Sequence, residues 1–309
     1  MNLVVGSTGL LGGEICRRLA TSGKPIRALV RKTSDPEKVE NLRRLGAEIV
    51  YGDLKDRPSI DAACQGASAV ISTATTTLSR QSGDTIASVD RQGQLDLVDA
   101  ATEAGVAHFV YVSFDTAAFS GTELTAAKQA VEDQIKKQGL THTILRPNVC
   151  VDTWLAPALG FDYVNGKVIV YGSGENRISF VTFGDVARFA VHSLTHPALV
   201  NTSLYIGGPE ALSWNEVVRI FEEVSGRHFE VIRIPEEALR GQLEAAKRNP
   251  SASDLDVLFP QFGLSMAREM IFDPGEPLKI DPTPLTSVRD VATRVIRATA
   301  NDQAHPAAA

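Results

Sequence analysis

The stretch LVVGSTGLLGGEI at residues 3–15 constrains this chain more than any other feature. Gly6, Gly9 and Gly12 stand three apart, between an apolar run of strand character and an amphipathic run of helix character. A strand that turns abruptly into a helix needs a first glycine for the tight turn and a second where backbone approaches a ligand. A third glycine is needed where the helix lies against the strand. The helix N-terminus then aims unpaired N–H groups at the turn, which favours an anion such as a pyrophosphate. Gly6, Ser7, Thr8, Gly9, Leu10, Leu11 and Gly12 are therefore the first candidate cofactor-binding residues. A plain tight turn also uses glycine, and it is the strand–turn–helix context that raises nucleotide binding above that reading.

The pattern repeats. Strands are expected at Leu3–Val5, Ile26–Val30, Glu48–Tyr51, Ala69–Ser72, Phe109–Ser113 and Thr143–Leu145, with helices at Leu10–Ser22, Pro36–Leu45, Ser59–Gln65, Thr85–Glu103 and Thr122–Lys137 between them. Strand, helix, strand with short connections implies right-handed crossovers and an α/β fold, a Rossmann-type doubly wound parallel sheet. After Arg146-Pro147 the rhythm breaks into Gly-, Pro- and Asn-rich loops with isolated strands and helices. The expected organisation is a dinucleotide-binding domain over residues 1–150 and a smaller α/β C-terminal substrate region over 151–300, with discontinuous contributions allowed. Residues 301–309, NDQAHPAAA, read as a disordered tail.

The second strand bears on which dinucleotide is bound. An NAD site wants Asp or Glu about 20 residues past the turn, whereas here Arg31 and Lys32 follow the strand. The plainer reading is a solvated pair of charges. Because a guanidinium fork matches phosphate geometry, the expectation is 2′-phosphate recognition and NADP(H) in preference to NAD(H). After the third strand, Asp53 and Leu54 in YGDL put a carboxylate at the sheet edge, suited to an adenine amino group or to closing a turn. Ser72, Thr73 and Ala74 end the fourth strand with small residues past which a ribose fits, although such residues also serve ordinary turns.

Other function classes are disfavoured. The net charge of -6 gives no broad basic surface for nucleic acid. The three cysteines, Cys16, Cys64 and Cys150, lie far apart with no CxxC pair, and no histidine has a ligand partner at metal spacing, so no metal site is expected. With no apolar run of bilayer length and no basic leader before the first strand, the expectation is a cytoplasmic protein without membrane association.

These residues carry a resemblance. GSTGLLG, LVRK, YGDL, VDRQGQLDLVDAA, FVYVSF and KQAVEDQIKKQGLTHTILRPN, with ISFVTFGDVARFAVHSL, YIGGPEALSWNEVVRIFEEVSGR and PLTSVRDVA further on, resemble the NmrA-like group of the atypical, extended short-chain dehydrogenase/reductase superfamily over nearly the whole chain. The resemblance implies a Rossmann domain that binds NADP(H) and a C-terminal region closing over the nicotinamide. It also implies one of several activities: quinone or triphenylmethane dye reduction, isoflavone-like reduction, or redox sensing without turnover. It places Pro147 and Asn148 at the carboxamide, Lys128 at the nicotinamide ribose, and Ser113 at the superfamily's serine position. Asn148 equally suits a turn, and Lys128 equally suits a solvated lysine pairing with Glu132 one turn on.

One departure matters. The superfamily's YxxxK pair is absent, because Leu124 stands four residues before Lys128. Leucine has no proton to give, and the neighbouring Thr122 and Thr125 hydroxyls are poor acids. Lys128 and Ser113 are the remaining catalytic candidates. The expected function is an NADP(H)-binding oxidoreductase that passes hydride to a small conjugated acceptor such as a quinone or dye, whose developing charge is delocalised. The rival is a non-enzymatic NADP(H) redox sensor, which would act on a protein partner. A third reading makes Lys128 a general base; Glu123 and Glu132 argue against it, since opposite charges raise a lysine pKa. The sequence leaves the oligomeric state open.

Overall fold

The computed structural model describes residues 1–78 and 80–304. It divides into two units, Met1–Pro147 with Phe183–Tyr205, and Asn148–Thr182 with Ile206 onward. The first unit is built on β1 (Asn2–Val5), α1 (Leu10–Thr21), β2 (Ile26–Val30), α2 (Pro36–Arg44), β3 (Glu48–Tyr51), α3 (Arg57–Cys64), β4 (Ala69–Ser72), α4 (Gln94–Glu103), β5 (His108–Val112), α5 (Glu123–Lys137) and β6 (His142–Pro147). A strand at Thr202–Ile206 completes a seven-stranded sheet in the order Thr202–Ile206, β6, β5, β4, β1, β2, β3. The pairs β1–β2, β1–β4, β2–β3, β4–β5 and β5–β6 are parallel. Strand order reverses between β1 and β4, the place where doubly wound sheets bind ligands.

The local reasons are visible in the sequence. Every residue of β1 and β4 is buried, as expected of strands covered on both faces. Helix α2 starts at Pro36, with the Asp35 carboxylate accepting from the Glu37 N–H. Leu3, Val70, Phe109 and Tyr111 from the sheet pack with Leu97, Val98, Val131 and Ile135 from α4 and α5.

One detail differs from the expected pattern, and a second takes up the discontinuity it allowed. The single helix expected over Thr85–Glu103 opens with a Thr85–Ser88 capping box but runs as a π-helix over Ile86–Gly93 before continuing as α4. Gly93 lies against Leu54, where a Cβ would stand 2.6 Å from the Leu54 carbonyl oxygen. The widened turn thus brings the one residue type that fits to this contact. Phe183–Tyr205, which falls within residues 151–300, belongs to the first unit because helix Phe183–His192 packs on α1 and Thr202–Ile206 extends the sheet beyond β6.

The second unit holds a three-stranded sheet in which Glu230–Ile234 runs parallel to Lys167–Tyr171, and Phe161–Asp162 runs antiparallel to it. Its core is aromatic. The Trp214 ring centre lies 5.3 Å from that of Phe180 and 6.1 Å from that of Tyr171, while Phe161 meets Phe221 at 4.8 Å. A helix over Asp254–Met266 starts at a Ser253–Asp256 capping box. The last helix, Val288–Ala304, continues through residues 301–304, which corrects the first part of the expected tail. Residues 305–309 lie outside the described residues. Among the described residues no helix is long and apolar enough to cross a membrane.

Candidate functional site

The glycine turn is packed from both sides. Gly6 has φ +84°, and a Cβ on it would stand 2.7 Å from Thr73 Oγ1 and 2.9 Å from the Ala74 nitrogen. A Cβ on Gly12 would stand 2.1 Å from the Gly6 carbonyl oxygen, so α1 approaches the turn as closely as backbone allows. The Gly9 N–H donates to the Gly6 carbonyl at 3.0 Å, and Gly9 caps α1 without any side-chain hydrogen bond. No acidic residue lies in the first turn of α1. The N-terminus of the helix thus keeps free N–H groups and positive dipole charge where an anion is expected. Ser7 is buried and donates to the Leu29 carbonyl, fastening the turn to β2. Thr8 is partly exposed, Leu10 is exposed and Leu11 is buried.

At the end of β2, Arg31 is engaged by Asp84, 53 residues on in sequence. Its Nη1 donates to Asp84 Oδ2 at 2.6 Å, and Lys55 Nζ donates to Asp84 Oδ1 at 2.5 Å. The Gln81 N–H also donates to this carboxylate. Desolvation pushes the Asp84 carboxyl up, but the hydrogen bonds from Lys55, the Gln81 backbone and Arg31 outweigh it and hold the group below the ordinary range. Lys32 is exposed beside them. Asp53 closes a turn by accepting from the Lys55 N–H, and Leu54 is a core residue facing Gly93.

The end of β4 is a polar junction. Ser72 donates to Gln94 Oε1, Gln94 Nε2 donates to the Ala74 carbonyl, and Thr73 Oγ1 donates to the Val5 carbonyl. Gln94, the first residue of α4, is fully buried. From the π-helical turn, the buried Asp90 accepts from the Thr76 N–H and hydroxyl with Oδ2, while its Oδ1 has no hydrogen-bond partner among the described residues.

Lys128 is not a solvated lysine. It is 4% exposed, donates from Nζ to the Val112 carbonyl at 3.1 Å, and lies 4.8 Å from the Tyr111 ring centre. Glu132, offered by the sequence as its partner, binds Arg146 from β6 instead, and Arg146 also reaches Tyr205. Burial pulls the Lys128 pKa down, the charges of Asp90 and Glu132 push it back, and the result is below the ordinary lysine value. The Glu132 carboxylate thus acts in the expected direction, but desolvation is the larger effect. Ser113 Oγ and Tyr111 OH are buried without hydrogen-bond partners among the described residues. Leu124, in place of the superfamily tyrosine, is in the core, and the Thr122 and Thr125 hydroxyls are engaged in the helix cap.

Pro147 ends β6. The Asn148 amide donates to the Met270 carbonyl and accepts from the Val149 N–H, a structural use of that side chain. Phe161 is core, and Trp154 meets Tyr171 and Phe262 edge-on. The sequence singled out the turn, Arg31, Lys128 and Ser113; the structure sets Lys55 and Asp84 beside Arg31, Gln94 beside Ser72, and Tyr111 beside Lys128, with Asp90 on Thr76, none of which the sequence had singled out. The signals were slight: a lysine two residues past Asp53, and an aspartate beside Gly83 just before a helix.

Residues 2–268 match the NmrA-like family. The chain is 31% identical over 240 residues to the photosystem II assembly factor Ycf39 of Trieres chinensis, covering 75% of this chain and 72% of that protein. It is 30% identical over 252 residues to the phenylcoumaran benzylic ether reductase IRL1 of Ginkgo biloba, covering 76% of this chain and 78% of that protein. In fold it resembles the triphenylmethane reductase of Citrobacter sp. complexed with NADP(H), with a TM-score of 0.75 at 21% identity, covering 96% of this chain and 100% of that one.

Proposed function

The chain belongs to the NmrA-like family, and from that premise we propose that it is an NADP(H)-dependent oxidoreductase that reduces a small conjugated acceptor such as a quinone or dye. The cofactor supplies the hydride when bound. The observation that carries the reading is the uncapped start of α1 over a turn in which neither Gly6 nor Gly12 has room for a side chain. Such a cradle fits a pyrophosphate. The buried, unpartnered Ser113 hydroxyl supports it as well, because a buried polar group without a partner is destabilising by roughly 1–3 kcal/mol unless a ligand completes it.

In this reading α1 holds the pyrophosphate through backbone N–H groups, and Arg31 and Lys32 hold the 2′-phosphate. Lys128 and Ser113 hold the nicotinamide end at the ribose and beside it, with Ser72, Thr73 and Ala74 lining the way between. An acceptor that delocalises charge makes a strong protein acid unnecessary, in agreement with Leu124 at the tyrosine position. Proximity and orientation then supply most of the rate. The benzylic ether reductase among the relatives supports turnover, and the assembly factor among them keeps the sensor as the rival.

A second reading rests on the lowered pKa of Lys128. A buried lysine that loses its proton more readily serves as a general base for substrates that must be deprotonated before or during reduction. The experiment is NADPH oxidation by the purified protein with a panel of quinones and triphenylmethane dyes, beside titrations with NADPH and NADH. Turnover with selective NADPH binding upholds the proposal. Tight NADPH binding, discrimination between oxidised and reduced cofactor and no turnover would replace it with a sensor.

A further inference from the structure

Arg31, Lys55 and Asp84 come from the connections that follow β2, β3 and β4, three neighbouring positions along the chain's path but 53 and 29 residues from Asp84 in sequence. The carboxylate is almost completely buried, at 1% side-chain exposure, whereas Arg31 and Lys55 are 29% and 28% exposed. The arrangement is therefore a covered anion beneath two cations that still reach solvent. The loop bearing Asp84 is fastened further by the Gln81 N–H to the same carboxylate and by a bond between Thr33 and Gln81 side chains.

We propose that Asp84 is a positioning residue that holds Arg31 and Lys55 as a paired cation site for the cofactor's 2′-phosphate, so that Lys55 joins Arg31 and Lys32 in distinguishing NADP(H) from NAD(H). This rests on the NADP(H) reading above. Arg31 carries five N–H donors and Lys55 three, and Asp84 engages one of each. The rest remain for an outside anion. The charges also fit: three cations against one carboxylate leave two positive charges, matching a phosphate monoester that carries roughly −1.5 to −2 at pH 7. Without Asp84, two cations would face each other across the site and turn apart toward water. A buried ion pair adds little to stability compared with apolar packing, so its presence here is better explained by the geometry it imposes on its two partners.

The test is a set of binding titrations with NADPH and NADH, and with the fragments 2′,5′-ADP and 5′-AMP, on the wild-type protein, Lys55→Met, Lys55→Arg and Asp84→Asn. Loss of one charge-assisted contact predicts that Lys55→Met weakens NADPH and 2′,5′-ADP by about 10-fold or more, with NADH and 5′-AMP unchanged. Lys55→Arg should restore most of the loss. Asp84→Asn should weaken the 2′-phosphorylated ligands, NADPH and 2′,5′-ADP, selectively as well. Tighter NADPH binding by Asp84→Asn would overturn the proposal, showing that Asp84 competes with the phosphate. Equal weakening of both cofactors would also overturn it, leaving Asp84 a purely structural role. If Asp84→Asn fails to fold, Lys55→Met still decides: unchanged NADPH affinity in that variant overturns the inference. A wild-type protein that does not prefer NADPH would instead sink the NADP(H) reading itself.

Discussion

The Lys128 ammonium sits 4.8 Å from the centre of the Tyr111 ring and donates to the next residue's carbonyl at 3.1 Å, so the α5 lysine is held against the end of β5, just before Ser113. A cation against an aromatic face keeps part of its stabilisation when water is removed. That is how a lysine this deeply buried is tolerated on a helix whose partner strand is almost entirely apolar.

Lys128→Met follows from this placement. If Lys128 holds the ribose, the variant should weaken NADPH by about 10-fold or more, the worth of a charged hydrogen bond. Turnover at saturating cofactor should stay within a few-fold of wild type. Unchanged binding with turnover lowered by about 10²–10⁴-fold would transfer the residue to general-base chemistry.

Gly12 and Gly13 should behave oppositely although they are adjacent. A Cβ at Gly12 meets backbone at 2.1 Å, which no rotamer relieves, while one at Gly13 finds its nearest neighbour at 3.6 Å. Gly12→Ala should cost about 1–3 kcal/mol and abolish NADPH binding. Gly13→Ala, inside α1, should be neutral or stabilising by up to about 1 kcal/mol. Thermal melts with and without cofactor distinguish the two, and a Gly12→Ala protein that binds normally would refute the cradle.

Acid sensitivity should localise partly at Asp84. Its carboxyl ionises below the ordinary aspartate value of 3.8 in the folded protein, so it binds fewer protons there than in the unfolded chain. The stabilisation it gives is complete above that value and is lost as pH falls through the lower folded one. Urea midpoints of wild type and Asp84→Asn should therefore differ by a constant amount around neutrality and begin to converge only below about pH 4. A gap that widens on acidification would contradict the ion-pair assignment.

The cysteines should be silent. Burial pushes the Cys16 and Cys64 thiols up to about 12, and the Cys150 thiol is raised as well. Since the thiolate is the reactive form, a thiol reagent at neutral pH should label none of them in the native protein and all 3 after denaturation. Fast labelling of a native thiol would introduce a redox mechanism that the present reading lacks.

Much of the first unit was legible because its signals are local. Ile26–Val30, Glu48–Tyr51 and Ala69–Ser72 are strands where the apolar runs placed them; Ala69–Ser72 is buried throughout and uninterruptedly apolar until its last residue, as a strand covered on both faces should be, while Glu48–Tyr51 at the sheet edge has no fully buried residue. The second unit was harder. Its two-residue strands, Arg177–Ile178 and Leu212–Ser213, are too short to leave any periodicity, and they exist because each provides the other's backbone partners.

By itself the sequence determined the strand–turn–helix at Gly6–Gly12, the alternation that builds a doubly wound sheet, and the absence of a tyrosine four residues before Lys128. These follow from steric limits and side-chain periods that act over a few residues. Only the tertiary structure decided that Thr202–Ile206 joins the first unit's sheet, that Glu132 pairs with Arg146 rather than Lys128, and that Arg31 shares Asp84 with Lys55. Each depends on which strand ends and helix faces come to lie side by side. Burial and ion pairing are set by that proximity, which residues distant in sequence acquire only once the sheet has assembled.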